Sequence, residues 1–209
     1  MSPLYGAPFL WLIGAILWWS GWRKETADDL PEWAVGIFLA VWPLAFLGRF
    51  SGARELGMSA AWAWTLLAAI VLGWRMPPAR RWTAASAGLL VGSVSIFIGR
   101  LAQMPDDLAH GLSPAVVSIV AGAIAAILLS SASEQTLAIS ISLALSAAAF
   151  AIAHVGPNAP AGMREAQWLE SWWISVLFAR LWTVAGLRIS GQARKWAYKL
   201  GEKRGGQRS

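Results

Sequence analysis

The chain has 209 residues, of which 57% are hydrophobic and only 13% are charged. This charged fraction is about half that of an ordinary soluble domain, which excludes a soluble domain as the bulk of the chain. Cysteine is absent, which excludes disulfides, a thiol nucleophile and thiolate metal sites. The net charge of +6 lies beside apolar runs, where anionic lipid head groups are a better partner than nucleic acid.

Seven apolar runs approach the ~20 residues with which a helix crosses a bilayer. They cover residues 4–22, 33–47, 58–74, 83–98, 114–132, 136–155 and 171–187. We therefore predict an all-α, polytopic transmembrane helix bundle over residues 1–190, followed by a basic cytoplasmic tail at 191–209. Pro43, inside the second run, is expected to kink or end that helix.

The distribution of basic residues predicts the orientation of these helices. With the C-terminus inside, the inner loops would be 23–32, 75–82 and 133–135. These loops and the chain after residue 187 hold 12 Lys and Arg residues, whereas the outer segments hold 4. Arg23 and Lys24 directly follow the first run, and nothing basic precedes it. Because basic residues collect on the cytoplasmic side, we expect the N-terminus outside and the C-terminus in the cytoplasm.

The predicted spans fall into two kinds. All 15 tryptophans lie within 11–82 or 168–196, whereas spans four to six are rich in Ala, Gly and Ser. We expect the Trp-rich helices to face lipid around an inner bundle of the small-residue helices. Small residues at a spacing of four let neighbouring helix backbones approach closely. The residues predicted to pack helices in this way are Gly88, Gly92, Ser118, Gly122 and Ala126.

Arg180 is a charge deep within the last apolar run. Insertion scales give such a residue a cost of about 2.5–3.5 kcal/mol, so it usually faces protein or a water-filled cavity. Two interpretations stay open. Arg180 contacts a ligand or an anionic head group, or it makes a packing contact with polar atoms of a neighbouring helix.

A second cluster with potential chemistry lies in a predicted outer loop. Asp106, Asp107 and His110 have donor types and spacing that suit a divalent metal. The same pattern is typical of a solvated, capped turn, and we assign no metal site on it. His154, at the end of the sixth run, is a further titratable group near the outer surface.

Three functions remain open from the residues alone. No phosphate-binding loop, dinucleotide fingerprint or nucleophile elbow is present, so no cofactor and no catalytic residue are assigned. We favour a non-enzymatic membrane component that acts through helix–helix or partner contacts, including self-association. The alternatives are a transporter or channel for a small anionic solute, with Arg180 in its path, and a lipid-modifying enzyme that uses His154 or the 106–110 loop.

The first span is rich in Trp and runs directly into Gly21, Trp22 and Arg23, and the C-terminal end is basic. In this layout the chain resembles the YphA-type small membrane proteins of Bacillus-like bacteria. The resemblance implies a multi-pass protein of the bacterial inner membrane. It implies no catalytic residues.

Overall fold

The computed structural model describes the backbone of residues 3–23, 27–47, 60–101, 113–153 and 161–205. Side chains are described over residues 6–23, 27–47, 60–101, 113–152 and 165–189. These parts of the chain are all-helical and contain no strand, which confirms the predicted all-α class. They form the helices α1 (Pro3–Trp19), α2 (Glu32–Leu47), α3 (Ala60–Arg75), α4 (Pro78–Leu101), α5 (Pro114–Leu128), α6 (Ala132–Ala153) and α7 (Ala161–Gly205).

Three of these helices are long and apolar enough to cross a membrane. The qualifying segments are Pro78–Leu101 in α4, Ala132–Ile152 in α6 and Glu165–Ile189 in α7. The apolar parts of α1, α2, α3 and α5 are shorter, at 10–17 residues. Length and composition therefore single out α4, α6 and α7 as candidate spans.

Two predicted boundaries are wrong at the junction of α5 and α6. The fifth run was expected to continue to residue 132, but α5 ends at Leu128, because Leu129 has extended backbone angles. The expected loop at 133–135 belongs to the first turn of α6. Ser131 caps that turn, since its hydroxyl accepts the Glu134 N–H at 3.4 Å. The polar residues here begin a helix instead of forming a loop.

Other helices extend beyond the apolar runs that predicted them. Pro78 suits the first position of α4, so Arg80 lies in a helical turn and not in the expected loop. Helix α2 continues past Pro43 to Leu47. Helix α7 has 45 residues and passes without a break through residue 190, where the membrane domain was expected to end.

Close contacts at glycines reveal the relative directions of the helices. Gly88 lies against Ala138 and Gly92 against Ser142, so α4 and α6 run in the same direction. In the same way, Gly14 of α1 lies against Trp173 of α7. Further along the chain, the guanidinium of Arg188 in α7 lies 4.6 Å from the centre of the ring of Trp22, which follows α1. Helices α1 and α7 therefore also run in the same direction.

The main hydrophobic core is aromatic and lies among α1, α2, α3 and α7. Trp42 is 1% exposed, stacks on Trp11 and Phe46, and meets Trp173 edge-on at 5.7 Å between ring centroids. The expected inner bundle of small-residue helices is therefore wrong, because the Trp-rich helices form the main core, whereas Trp19, Trp33 and Trp74 are exposed as expected. Flat indole rings at mid-helix positions fill the space between these helices, and α7 joins this aromatic part to α5 and α6.

Candidate ligand-binding cavity

Asp29 joins three parts of the chain at one end of the bundle. Its carboxylate accepts hydrogen bonds from the backbone N–H of Ser133, at 3.1 Å, and from the Ser133 hydroxyl. It also accepts a bond of 3.0 Å from Arg80. Arg80 in turn pairs with Glu134 at 2.5 Å. These contacts link the segment before α2 to the first turns of α4 and α6, and we call this region the Asp29 end.

The local backbone presents Asp29 to its partners. The N–H of Leu30 donates to the carbonyl of Ala27 at 2.7 Å, which closes a tight turn. Asp28 within this turn has a φ of +41°, a conformation that Asp adopts more readily than most residues. The carboxylate of Asp29 then lies at the N-terminus of α6, where free N–H groups and the helix dipole favour an anion.

The environment of Asp29 favours its charged form. Burial alone would raise the pKa of its carboxyl group. The hydrogen bonds from Ser133 and the positive charge of Arg80 outweigh this effect, so that the pKa lies below its ordinary value. Asp29 is therefore a stable anion at neutral pH, and its interactions persist until the solution is distinctly acidic.

Arg180 is buried at 7% exposure and is bonded to α6. Its guanidinium donates to the amide oxygen of Gln135 at 3.4 Å. The amide nitrogen of Gln135 donates to the carbonyl of Leu129 at 2.7 Å and to the hydroxyl of Thr183 at 2.8 Å. Both amide hydrogens thus have acceptors, and the amide oxygen is turned toward the positive charge. This arrangement holds the guanidinium in one place.

A cavity of about 350 Å³ lies beside Arg180, among α1, α2, α3 and α7. Its walls are almost entirely aliphatic and aromatic, with tryptophans from all four helices. The tryptophans that line the cavity, including Trp22 just after α1, are Trp18, Trp22, Trp33, Trp64, Trp172 and Trp173. A mostly apolar cavity with a few placed polar groups is the usual form of a small-molecule site.

Two arginines are the charged residues that line this cavity within the described part of the chain. Arg180 reaches it from α7, and Arg75 reaches it from the last turn of α3. The Arg75 guanidinium lies 5.3 Å from the centre of the Trp33 ring, within cation–π range. The cavity is therefore apolar with a positive edge.

The predicted packing residues of α4 contact α6. A Cβ atom added at Gly88 would lie 2.7 Å from the carbonyl oxygen of Ala138. One added at Gly92 would lie 2.9 Å from the Leu145 side chain and 3.2 Å from Ser142. The two backbones thus approach too closely for a larger residue at Gly88.

The predicted packing residues of α5 lie near α7 in the same manner. A Cβ at Gly122 would lie 2.5 Å from the Ser175 carbonyl oxygen, and the Ser175 hydroxyl donates to the Ser118 carbonyl at 2.8 Å. Ala126 is half-buried against the aromatic core. The small-residue faces of α4 and α5 are therefore used in contacts within this chain.

The predicted metal candidates Asp106, Asp107 and His110 lie outside the described residues, as does His154. Among the residues that are described, no group of three His, Asp or Glu side chains is arranged to hold a metal ion.

Sequence reasoning missed Gln135 and Asp29, the residues that organise this region. Gln135 was assigned to a loop, and Asp29 makes its contact with Ser133 across 104 positions. The Ser131-to-Glu134 spacing is a helix-start signature, and it could have placed Gln135 in α6.

Comparison of the chain with known protein families, with curated proteins and with solved structures gives no match. The similarity to YphA-type membrane proteins therefore stays a prediction.

Proposed function

We propose that this protein is a multi-pass, non-enzymatic membrane protein that binds a lipid-like molecule in the cavity among α1, α2, α3 and α7. The observation that carries the proposal is the cavity itself. It has a volume of about 350 Å³, lies within the size range of ligand pockets, and combines apolar walls with two arginines.

The outer surface supports a membrane location. Large apolar side chains are exposed along the described helices, including Trp74 at 81%, Leu47 and Ile152 at 77%, and Ile127 at 72%. A soluble monomer rarely exposes apolar surface on this scale, whereas lipid would cover it. Together with the three long apolar helices, this surface favours insertion of the whole bundle in a bilayer.

The Asp29 end is proposed to face the cytoplasm, with seven spans and the N-terminus outside. Asp29, Arg80 and Glu134 come from the three segments that the charge distribution assigns to the inner side, and they contact one another. Such contacts are expected if each helix reverses the direction of the one before it. By its resemblance to the YphA-type proteins, the membrane would be the bacterial inner membrane, with anionic lipids at this face.

Ligand binding is favoured over self-association through the small-residue faces. Gly88 and Gly122 already contact α6 and α7 of the same chain, so these faces are not presented to a second copy. Partner contacts through other surfaces are compatible with this proposal. A bound molecule, by contrast, would fill space that the side chains leave open.

Native mass spectrometry of the protein in polymer-extracted membrane fragments tests the proposal. Ala68 lines the cavity and is half-buried, so Ala68→Phe would occupy part of its volume. Ala63→Phe, on the same helix but away from the cavity lining, is the matched control. We expect a small hydrophobic molecule to be retained by the natural chain and the control and lost from Ala68→Phe. Equal retention by all three, or none in any of them, would contradict the proposal.

A further inference from the structure

We infer that the molecule in the cavity is a single-chain amphiphile with an anionic head group. This inference rests on the proposed function, since it specifies the ligand of the same site. The head group would lie at Arg180 and Arg75, and the chain would extend toward Trp64 and Trp173.

The dimensions of the cavity favour one hydrocarbon chain. Trp64 and Arg75 both line it, and they are eleven residues apart on α3, which corresponds to about 16 Å along a helix. The volume of about 350 Å³ lies at the small end of the range for ligand cavities, which suits one hydrocarbon chain better than the two chains of a phospholipid.

The charges along the cavity favour an anionic head group. Over the described residues, the lining contains Arg75 and Arg180 and no carboxylate. Asp28 and Asp29 act on Arg180 through their charges, but neither of them lines the cavity, and Asp29 is bonded to Ser133 and Arg80. A guanidinium has five N–H donors, so Arg180 can hold Gln135 and the oxygens of a carboxylate or phosphate together.

The two ends of the cavity differ in the way that an amphiphile requires. At the Asp29 end, Arg75 is exposed and lies against Trp33, a residue that is 59% exposed. Trp side chains at this position suit the head-group layer of a membrane. Deeper in the bundle the lining consists of apolar groups such as Gly14, Leu39 and Trp173. A chain entering from the head-group layer would leave its charged end beside the arginines.

Quenching of tryptophan fluorescence by brominated ligands tests this inference, because six tryptophans line the cavity. The protein would be placed in nanodiscs of a neutral two-chain lipid and titrated with 12-bromododecanoate or with neutral 12-bromododecanol. Dodecyl phosphate would compete with the bromododecanoate, to separate a phosphate head from a carboxylate. We expect saturable quenching by bromododecanoate. Its dissociation constant should be about 10- to 100-fold higher in Arg180→Gln, in line with the loss of a charge-assisted hydrogen bond.

The outcomes separate this inference from the proposed function. If bromododecanol binds with the same affinity as bromododecanoate, the ligand is apolar and the anionic head group is overturned. An affinity for bromododecanoate that is unchanged in Arg180→Gln would have the same meaning. Displacement of bromododecanoate by dioleoylphosphatidylglycerol as efficient as by dodecyl phosphate would overturn the single chain. No saturable quenching by either brominated compound would overturn the proposed function itself. Ala68→Phe, which occupies part of the cavity, should abolish the saturable part of the quenching, and Ala63→Phe should keep it.

Discussion

Arg180 donates a hydrogen bond to Gln135, which lies 45 positions earlier in the chain, and both side chains are buried. The bond joins α7 to the first turn of α6 and holds a guanidinium at the edge of the apolar cavity. A charge that would be costly in a bare apolar helix thus has a fixed protein partner beside the proposed head-group site.

Removal of Arg180 should destabilise the protein through Gln135. In Arg180→Leu the buried amide oxygen of Gln135 loses this donor, and such a loss costs about 1–3 kcal/mol. The double variant Arg180→Leu with Gln135→Leu removes both partners and should be less destabilised than the sum of the single variants. Thermal unfolding in nanodiscs measures this difference. Strictly additive effects would show that the two side chains are not coupled.

Asp29 should make stability depend on pH in the acidic range. The pKa of Asp29 is lower in the folded protein than in the unfolded chain, where it is about 3.9. Asp29 therefore contributes stability that is fully present above the unfolded pKa and is lost as the pH falls through the folded pKa. Asp29→Asn should lower the free energy of unfolding by about 1–2 kcal/mol at neutral pH and flatten the dependence below about pH 4. Asp28→Asn removes the same charge from the same turn and is the control. Melting temperatures between neutral and acidic pH compare the three proteins, and identical curves for both variants would contradict the role of Asp29.

Helix packing at Gly122 should tolerate no larger residue. Gly122→Ala places a Cβ 2.5 Å from the Ser175 carbonyl, so α5 and α7 must separate, at a cost of about 1–3 kcal/mol. Gly99→Ala, in α4, meets nothing within 4 Å and should leave the stability unchanged or slightly higher. Thermal unfolding of both variants provides the comparison. Equal melting temperatures would mean that the close approach at Gly122 does not matter.

Fusions of reporter enzymes test the proposed orientation. A reporter that is active only in the cytoplasm should work when it follows Ser209 and fail when it is inserted near Ala159. The charge distribution predicts this pattern, because 12 basic residues lie in the segments assigned to the inner side. The reverse pattern would place the Asp29 end outside.

The helical class was predictable from the sequence, because each long apolar run corresponds to one described helix. Helix ends were less predictable where polar residues begin a helix. Ser131 and Glu134 look like loop residues by composition, yet the Ser131 hydroxyl caps α6. This error hid Gln135, and with it the partner of Arg180.

Long-range contacts were not predictable from local patterns. Asp29 is one acidic residue in a short polar segment, and its role depends on Ser133 and Arg80 being brought to it by the fold. The burial of Trp42 and Trp173 was missed because indole is common both at membrane interfaces and in cores. The cavity itself depends on how four helices pack, which no single segment encodes.

Photo-crosslinking with a diazirine-bearing fatty acid tests the central claim, that the cavity holds an amphiphilic chain. Cross-linked peptides would be mapped by mass spectrometry after irradiation of membranes that contain the protein. We predict cross-links on the cavity faces of α3 and α7, at residues such as Ala68 and Val176. These cross-links should disappear in Ala68→Phe and persist in Ala63→Phe. Cross-links confined to exposed positions outside the cavity, such as Leu90 and Phe97 of α4, would contradict the claim.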